Sequence, residues 1–187
     1  MTNKNNKKHM NLILSLLFVG LSLLSFSQKN KVKLKNALIV GQLEKGDDRY
    51  SIEIAVTEIL NEAGVKAIPS LNILKTGSDI KLLANDSVQK IVASKGIDTY
   101  MTVSVRGYDK HFKLAQNHDN FATALNTGHL FSIYRDELVT VSFEFTFYRE
   151  GQFMGTDIIK VGNVSSREQV LKRFKKKAAK RVKKWMK

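Results

Sequence analysis

The apolar positions of this chain alternate between two periods. Ala37-Leu38-Ile39-Val40 is an unbroken apolar run closed by Gly41, and it predicts a buried strand. Residues 41–49 (GQLEKGDDR) read as a loop. From Tyr50 to Glu62 the period changes. Ile52, Val56, Ile59 and Ala63 share one helical face, widened by Ala55 and Leu60, and Gly64 stands where a left-handed cap would end the helix. Val65–Ile68 predicts a short second strand stopped at Pro69-Ser70. Asp86-Ser87-Val88-Gln89 has the form of a capping box, with the Asp86 carboxylate accepting backbone N–H bonds. It predicts a second helix that buries Val88, Ile91 and Val92 and stops at Gly96.

Period two returns at Thr99–Arg106, where Met101, Val103 and Val105 oppose Thr102 and Ser104. Gly107–Gly128 is irregular and polar. Leu138–Tyr148 alternates most cleanly: Val139, Val141, Phe143, Phe145 and Phe147 against Thr140, Ser142, Glu144 and Thr146. Arg149-Glu150-Gly151-Gln152 reads as a hairpin turn, and Phe153–Val161 returns antiparallel. Ser165-x-x-Glu168 is a second capping box, with a helix to the chain end. The pattern predicts a single-domain α+β fold. Its mixed sheet has about five strands, with helices packed on one face and a basic C-terminal helix.

Charge changes this picture at the ends. Residues 166–187 hold 11 of the 31 Lys and Arg against one acid, Glu168. Residues 28–165 are nearly neutral, so the basic character is local and points to an anionic partner. Lys4, Lys7 and Lys8 precede an apolar run from Met10 to Leu24, and Ser25-Phe26-Ser27 offers small residues at a cleavage site before Gln28. A run of about 15 residues is short for a spanning helix, which needs roughly 20. Residues 1–27 therefore read as a signal peptide, with an uncleaved anchor as the rival. The chain has no cysteine, hence no disulfide framework and no acylated N-terminal cysteine. An exported, cysteine-free chain suits a periplasmic or secreted location. The organisation expected is a leader at 1–27, an α+β envelope domain at 28–165 and the basic amphipathic helix at 166–187.

The order ALIVG, a loop, RYSIEIAVTEILNEAGVKAIPS and DSVQKIVASKGIDTYMTVSV resembles bacterial envelope domains of the curli-secretion-lipoprotein type. Similar pieces occur in penicillin-binding-protein activator lipoproteins and the N-terminal domain of the Tol translocation protein. Arg49, Glu53, Gly64, Pro69-Ser70, Gly96 and Asp98 carry the match, over about Ala37–Val164. The resemblance implies a non-enzymatic envelope module that binds other proteins or assembles with them. Those lipoproteins carry an acylated cysteine, which this chain lacks.

Two candidate sites follow. On the terminal helix, Leu171, Phe174, Ala178, Val182 and Trp185 form an apolar stripe, with Val170 and Met186 beside it. Lys172, Arg173, Lys176, Lys177, Lys180, Arg181, Lys183 and Lys184 occupy the rest. The plain reading is a docking helix with solvated lysines. The functional reading uses those residues to bind an anionic membrane surface. At about 1 kcal/mol per residue near a charged leaflet, five engaged residues give about 5 kcal/mol, an affinity near the hundred-micromolar range. Nucleic acid is disfavoured by export and by the lack of a recognition module.

The second candidate is the 107–129 loop and its flank, where His111, Phe112, His118, Phe121, His129, Phe131 and Tyr134 are expected to contact an envelope protein partner. The alternative is a metal-dependent hydrolase using Asp109, His111, His118, Asp119 and His129, a spacing that matches no metal motif. Arg49 and Glu53 read as an ordinary ion pair one turn apart, worth a few tenths of a kcal/mol. With no nucleophile elbow, phosphate loop or dinucleotide motif, neither catalysis, metal nor cofactor is expected.

Overall fold

The structure is a computed structural model that describes residues 32–75, 77–108, 119–126, 130–135 and 140–187. The expected leader lies outside these residues, as does much of the 107–129 loop.

Five strands form one sheet: β1 (Asn36–Gln42), β2 (Lys66–Pro69), β3 (Thr99–Gly107), β4 (Thr140–Arg149) and β5 (Gln152–Gly162). Their order is β2-β1-β3-β4-β5. β1 pairs in parallel with β2 and β3, whereas β3–β4 and β4–β5 are antiparallel. The helices are α1 (Gly46–Glu62), α2 (Asp86–Ser94), α3 (Phe121–Asn126) and α4 (Arg167–Trp185), with 3-10 turns at Ser70–Asn72 and Ile80–Ala84. The α+β class, the mixed five-strand sheet and the terminal helix are as the sequence predicted.

The two long helices, α1 and α4, cover one face of the sheet, as expected. Val56, Ile59, Phe174 and Trp185 pack there with Ile39, Met101, Phe143, Phe145 and Phe147. The opposite face also carries a layer: Val92 of α2 and Phe121 and Leu125 of α3 pack with Leu38, Val40, Tyr100 and Tyr148. The reason is topological. The chain steps outward from β1 to β2, then back across β1 to β3. Two crossovers of the same hand running in opposite directions must lie on opposite faces. β1 is thus buried on both sides, which is why its apolar run is unbroken. In the second layer, burial pushes the Tyr148 phenol up to about 12, so its ring behaves as a neutral core residue.

Several local expectations shift. α1 begins at Gly46 rather than Tyr50, because Asp47 and Asp48 suit the first turn of a helix. Asn85, not Asp86, is the cap residue of α2. Asp86 is already helical, and Gln89 Nε2 donates to the Ala84 carbonyl at 3.2 Å. Ile91 is 50% exposed, since α2 packs through Val88 and Val92 instead. α4 is capped one residue late: Ser166 Oγ accepts from Gln169 N, and Gln169 Oε1 accepts from Ser165 N. The hairpin turn is as read. Glu150 and Gly151 both have positive φ, 51° and 74°, as a two-residue turn of matching twist requires.

The largest departure concerns Glu53, which is fully buried. Its carboxylate accepts from Gly41 N at 2.9 Å, Arg49 Nε at 2.9 Å and Ser70 Oγ at 2.7 Å. Arg49 Nη2 also donates to Ser70 Oγ. One carboxylate thus joins the end of β1, the second turn of α1 and the turn after β2. A Cβ on Gly41 would meet Arg49 Cγ at 3.0 Å, so glycine is what lets the helix come this near. Removing one partner of such a buried pair leaves a desolvated charge behind. We expect Glu53→Ala to lower unfolding free energy by about 3–5 kcal/mol in urea titration. A loss of only a few tenths would return the pair to an ordinary surface contact.

Candidate functional site: a basic helix clamped to a strand edge

The basic helix is held by aromatic packing. Phe174 lies against Phe143 and Phe145, with centroids 4.6 and 5.9 Å away, and Trp185 lies against Phe145 and Phe147 at 4.8 and 5.6 Å. Trp185 Nε1 donates to Asp157 Oδ2 at 2.9 Å. The residues buried on α4 are Val170, Phe174, Ala178, Val182 and Trp185. Leu171 is partly buried and Met186 is 40% exposed, so the stripe is slightly narrower than expected.

This seating divides the basic residues into separate ranks. Arg173, Lys177 and Arg181 reach the edge strand β5. Arg173 Nη1 donates to the Gly162 carbonyl at 2.5 Å, Lys177 Nζ to the Lys160 carbonyl, and Arg181 Nη2 to the Ile158 carbonyl at 3.4 Å. Every fourth helix residue therefore meets every second strand residue. Four helical residues rise about 6 Å and two strand residues about 6.7 Å, so the two repeats stay in step over three contacts. β5 is the last strand of the sheet, and an edge strand is a template for unwanted pairing. The three cations cover its carbonyl row.

Asp157 anchors the far end of this clamp. Its carboxylate lies 3.4 Å from Arg181 and 3.5 Å from Lys184. On the other flank of α4, Lys175 pairs with Glu58 of α1 at 3.3 Å.

Lys172, Lys176, Lys180 and Lys183 form the remaining rank. They fall within about 80° of one another on a helical wheel, on the side away from the buried stripe. All four are exposed, and none has a hydrogen-bond or ion-pair partner among the described residues. Between α4 and β5 runs an open groove of about 590 Å³, lined by Ile158, Ile159, Lys160, Lys177, Lys180 and Arg181.

The expected protein-contact residues fare differently. His111, Phe112, His118 and His129 lie outside the described residues, as does Asp109. Phe121 is 1% exposed: its ring packs on Tyr100 at 4.4 Å and Tyr148 at 5.5 Å, in the second layer of the core. It is a core residue and is not presented to a partner. Phe131 and Tyr134 are half-buried. The guanidinium of Arg135 sits over the rings of Phe131 and Tyr108, and Tyr134 Oη donates to the Ser165 carbonyl at 2.8 Å.

Segment 130–135 is tied down further. Glu44 N donates to the Phe131 carbonyl, Ser132 Oγ donates to Glu44, and Ile133 N donates to Asp48. The Ser132 hydroxyl holds the Glu44 carboxyl below its ordinary range. Arg167, at the start of α4, donates to Asp48 at 2.6 Å and so joins this segment to both long helices. Among the described residues, no three His, Asp or Glu gather as a metal site, and no helix is long and apolar enough to cross a membrane.

No protein-family model and no curated protein matches the chain. Several solved structures are distantly similar, two of them as follows. The PelC dodecamer from Paraburkholderia phytofirmans matches at 12% identity and a TM-score of 0.44, over 83% of this chain and 89% of that one. The lipoprotein GNA1162 from Neisseria meningitidis matches at 16% identity and a TM-score of 0.41, over 79% and 97%.

If the clamp protects the edge, substituting Arg173, Lys177 and Arg181 together with Gln raises concentration-dependent association in light scattering. The triple Lys172, Lys176 and Lys183→Gln removes the same charge and leaves association at the parental level. Equal association in both would assign the effect to net charge.

Proposed function

We propose that this chain is an exported, non-catalytic binding module of the cell envelope, which uses the outer rank of α4 to hold an anionic membrane surface. One observation carries the reading: Lys172, Lys176, Lys180 and Lys183 face away from the buried stripe with no acid paired to them among the described residues. Four unneutralised charges on one helical face cost stability by mutual repulsion, and they are balanced when that face meets anions. The leader-like sequence at 1–27 supplies the envelope location, and the protein partner expected at the 107–129 loop would add the specificity that the helix lacks.

A non-catalytic role is supported by the buried acids, each engaged in holding elements together. Glu53 is held by Arg49, Asp48 by Arg167, Glu144 by Arg106, and Asp157 by Trp185. A surface attachment worth about 1 kcal/mol per lysine also suits an accessory that is held weakly until a protein partner adds its own contact.

Co-sedimentation with phosphatidylglycerol vesicles tests the reading. Binding is expected to fall steeply between low and physiological salt and to be absent on phosphatidylcholine. Lys172, Lys176 and Lys183→Gln should weaken it about a hundredfold, three lysines at about 1 kcal/mol each. Binding that ignores both salt and this triple substitution contradicts the proposal.

A further inference from the structure

We propose that the groove between α4 and β5 is a discrete seat for a phosphate ester, its phosphate held by Lys177, Lys180 and Arg181 and its organic body laid along Ile158. The inference rests on the reading of α4 as an anion-binding element, and it deepens that reading from a diffuse attraction to a single site.

Three features of the groove carry it. The first is the convergence of cations. Residues 177, 180 and 181 are spaced i, i+3 and i+4, so their side chains leave one side of the helix together. All three line the groove.

The second is the balance of charge. Asp157, next to Ile158 in β5, is already shared by Arg181, Lys184 and the Trp185 N–H. Lys177 is satisfied only by a neutral carbonyl, and Lys180 has no partner among the described residues. Among the described residues, Lys180 therefore brings an unpaired ammonium to the groove beside the Arg181 guanidinium, whose planar fork suits phosphate oxygens.

The third is size. A volume of about 590 Å³ lies within the usual range of small-molecule sites, about 300–1,000 Å³, and exceeds what a bare phosphate fills. Ile158 is half-buried and offers an apolar surface to the rest of the molecule.

Both a lipid headgroup and a soluble ester present this chemistry. Calorimetric titration separates them, run at physiological salt so that diffuse attraction is screened beyond about 8 Å. The protein is titrated with inorganic phosphate, glycerol 3-phosphate and dihexanoyl phosphatidic acid kept below its aggregation concentration. One saturable site is expected for an organic ester, weakened about tenfold by Lys180→Gln and left unchanged by Lys176→Gln. Lys180 has no partner to lose among the described residues, so its substitution leaves the fold intact. Lys177→Gln should act in the same direction. Equal binding of both esters would assign the seat to the phosphate–glycerol unit, and binding of the lipid alone would add an acyl contact on Ile158.

No saturable site, binding of inorganic phosphate alone, or equal weakening by Lys176→Gln and Lys180→Gln would overturn the proposal. Vesicle binding on the same proteins keeps the two claims apart. Salt-dependent vesicle binding without a saturable site removes the seat and leaves the surface reading standing. A saturable site without vesicle binding does the reverse.

Discussion

The rotation of α4 about its own axis is the constraint on which the rest depends. Phe174 and Trp185 are seated among Phe143, Phe145 and Phe147, and the indole N–H is fixed on Asp157. Aromatic pairs of this kind contribute about 0.5–1.5 kcal/mol each beyond the area they bury, and their geometry is directional. A helix held this way cannot roll. Its basic residues are therefore assigned to places: Arg173, Lys177 and Arg181 to the edge of β5, Lys184 to Asp157, Lys175 to Glu58, and Lys172, Lys176, Lys180 and Lys183 to the outside.

That assignment gives one helix two jobs. The inner rank closes an otherwise open sheet edge, the outer rank carries charge that no described residue neutralises, and the groove between them borrows from both. The other buried charges act as joints. Glu53 ties β1 to α1 and the turn after β2, and Asp48 ties α1 to Arg167 and to the 130–135 segment. Among the described residues, the buried acids hold elements together, and an excess of cations is left on one exposed helical face.

Much of this order was legible in the chain. Short apolar runs mark β1 and β2, period-two alternation marks the later strands, a period of 3.6 marks both long helices, and the Glu150-Gly151 turn announces the last hairpin. Three things were not legible, each for a physical reason. A run of Ala37-Leu38-Ile39-Val40 says that a strand is buried, but the second layer over Tyr100 and Tyr148 follows from the direction of two crossovers, which only strand order reveals. Arg49 and Glu53 look like any pair one turn apart until Gly41 and Ser70 are seen to converge on the same carboxylate. The spacing 173, 177, 181 is visible in the sequence, but its meaning depends on β5 being an edge strand alongside α4. Phe121 is the opposite case: a polar neighbourhood in sequence hides a ring that packs inward.

The division of α4 into inner and outer ranks is the central claim, and amine labelling followed by mass spectrometry tests it most directly. With a limiting acylating reagent, Lys172, Lys176, Lys180 and Lys183 should react fastest, and Lys177, whose ammonium donates to the Lys160 carbonyl, should lag behind them. Unfolding in urea should erase the difference. Uniform reactivity along the folded helix would mean that its lysines are one undivided solvated face, and would contradict the account.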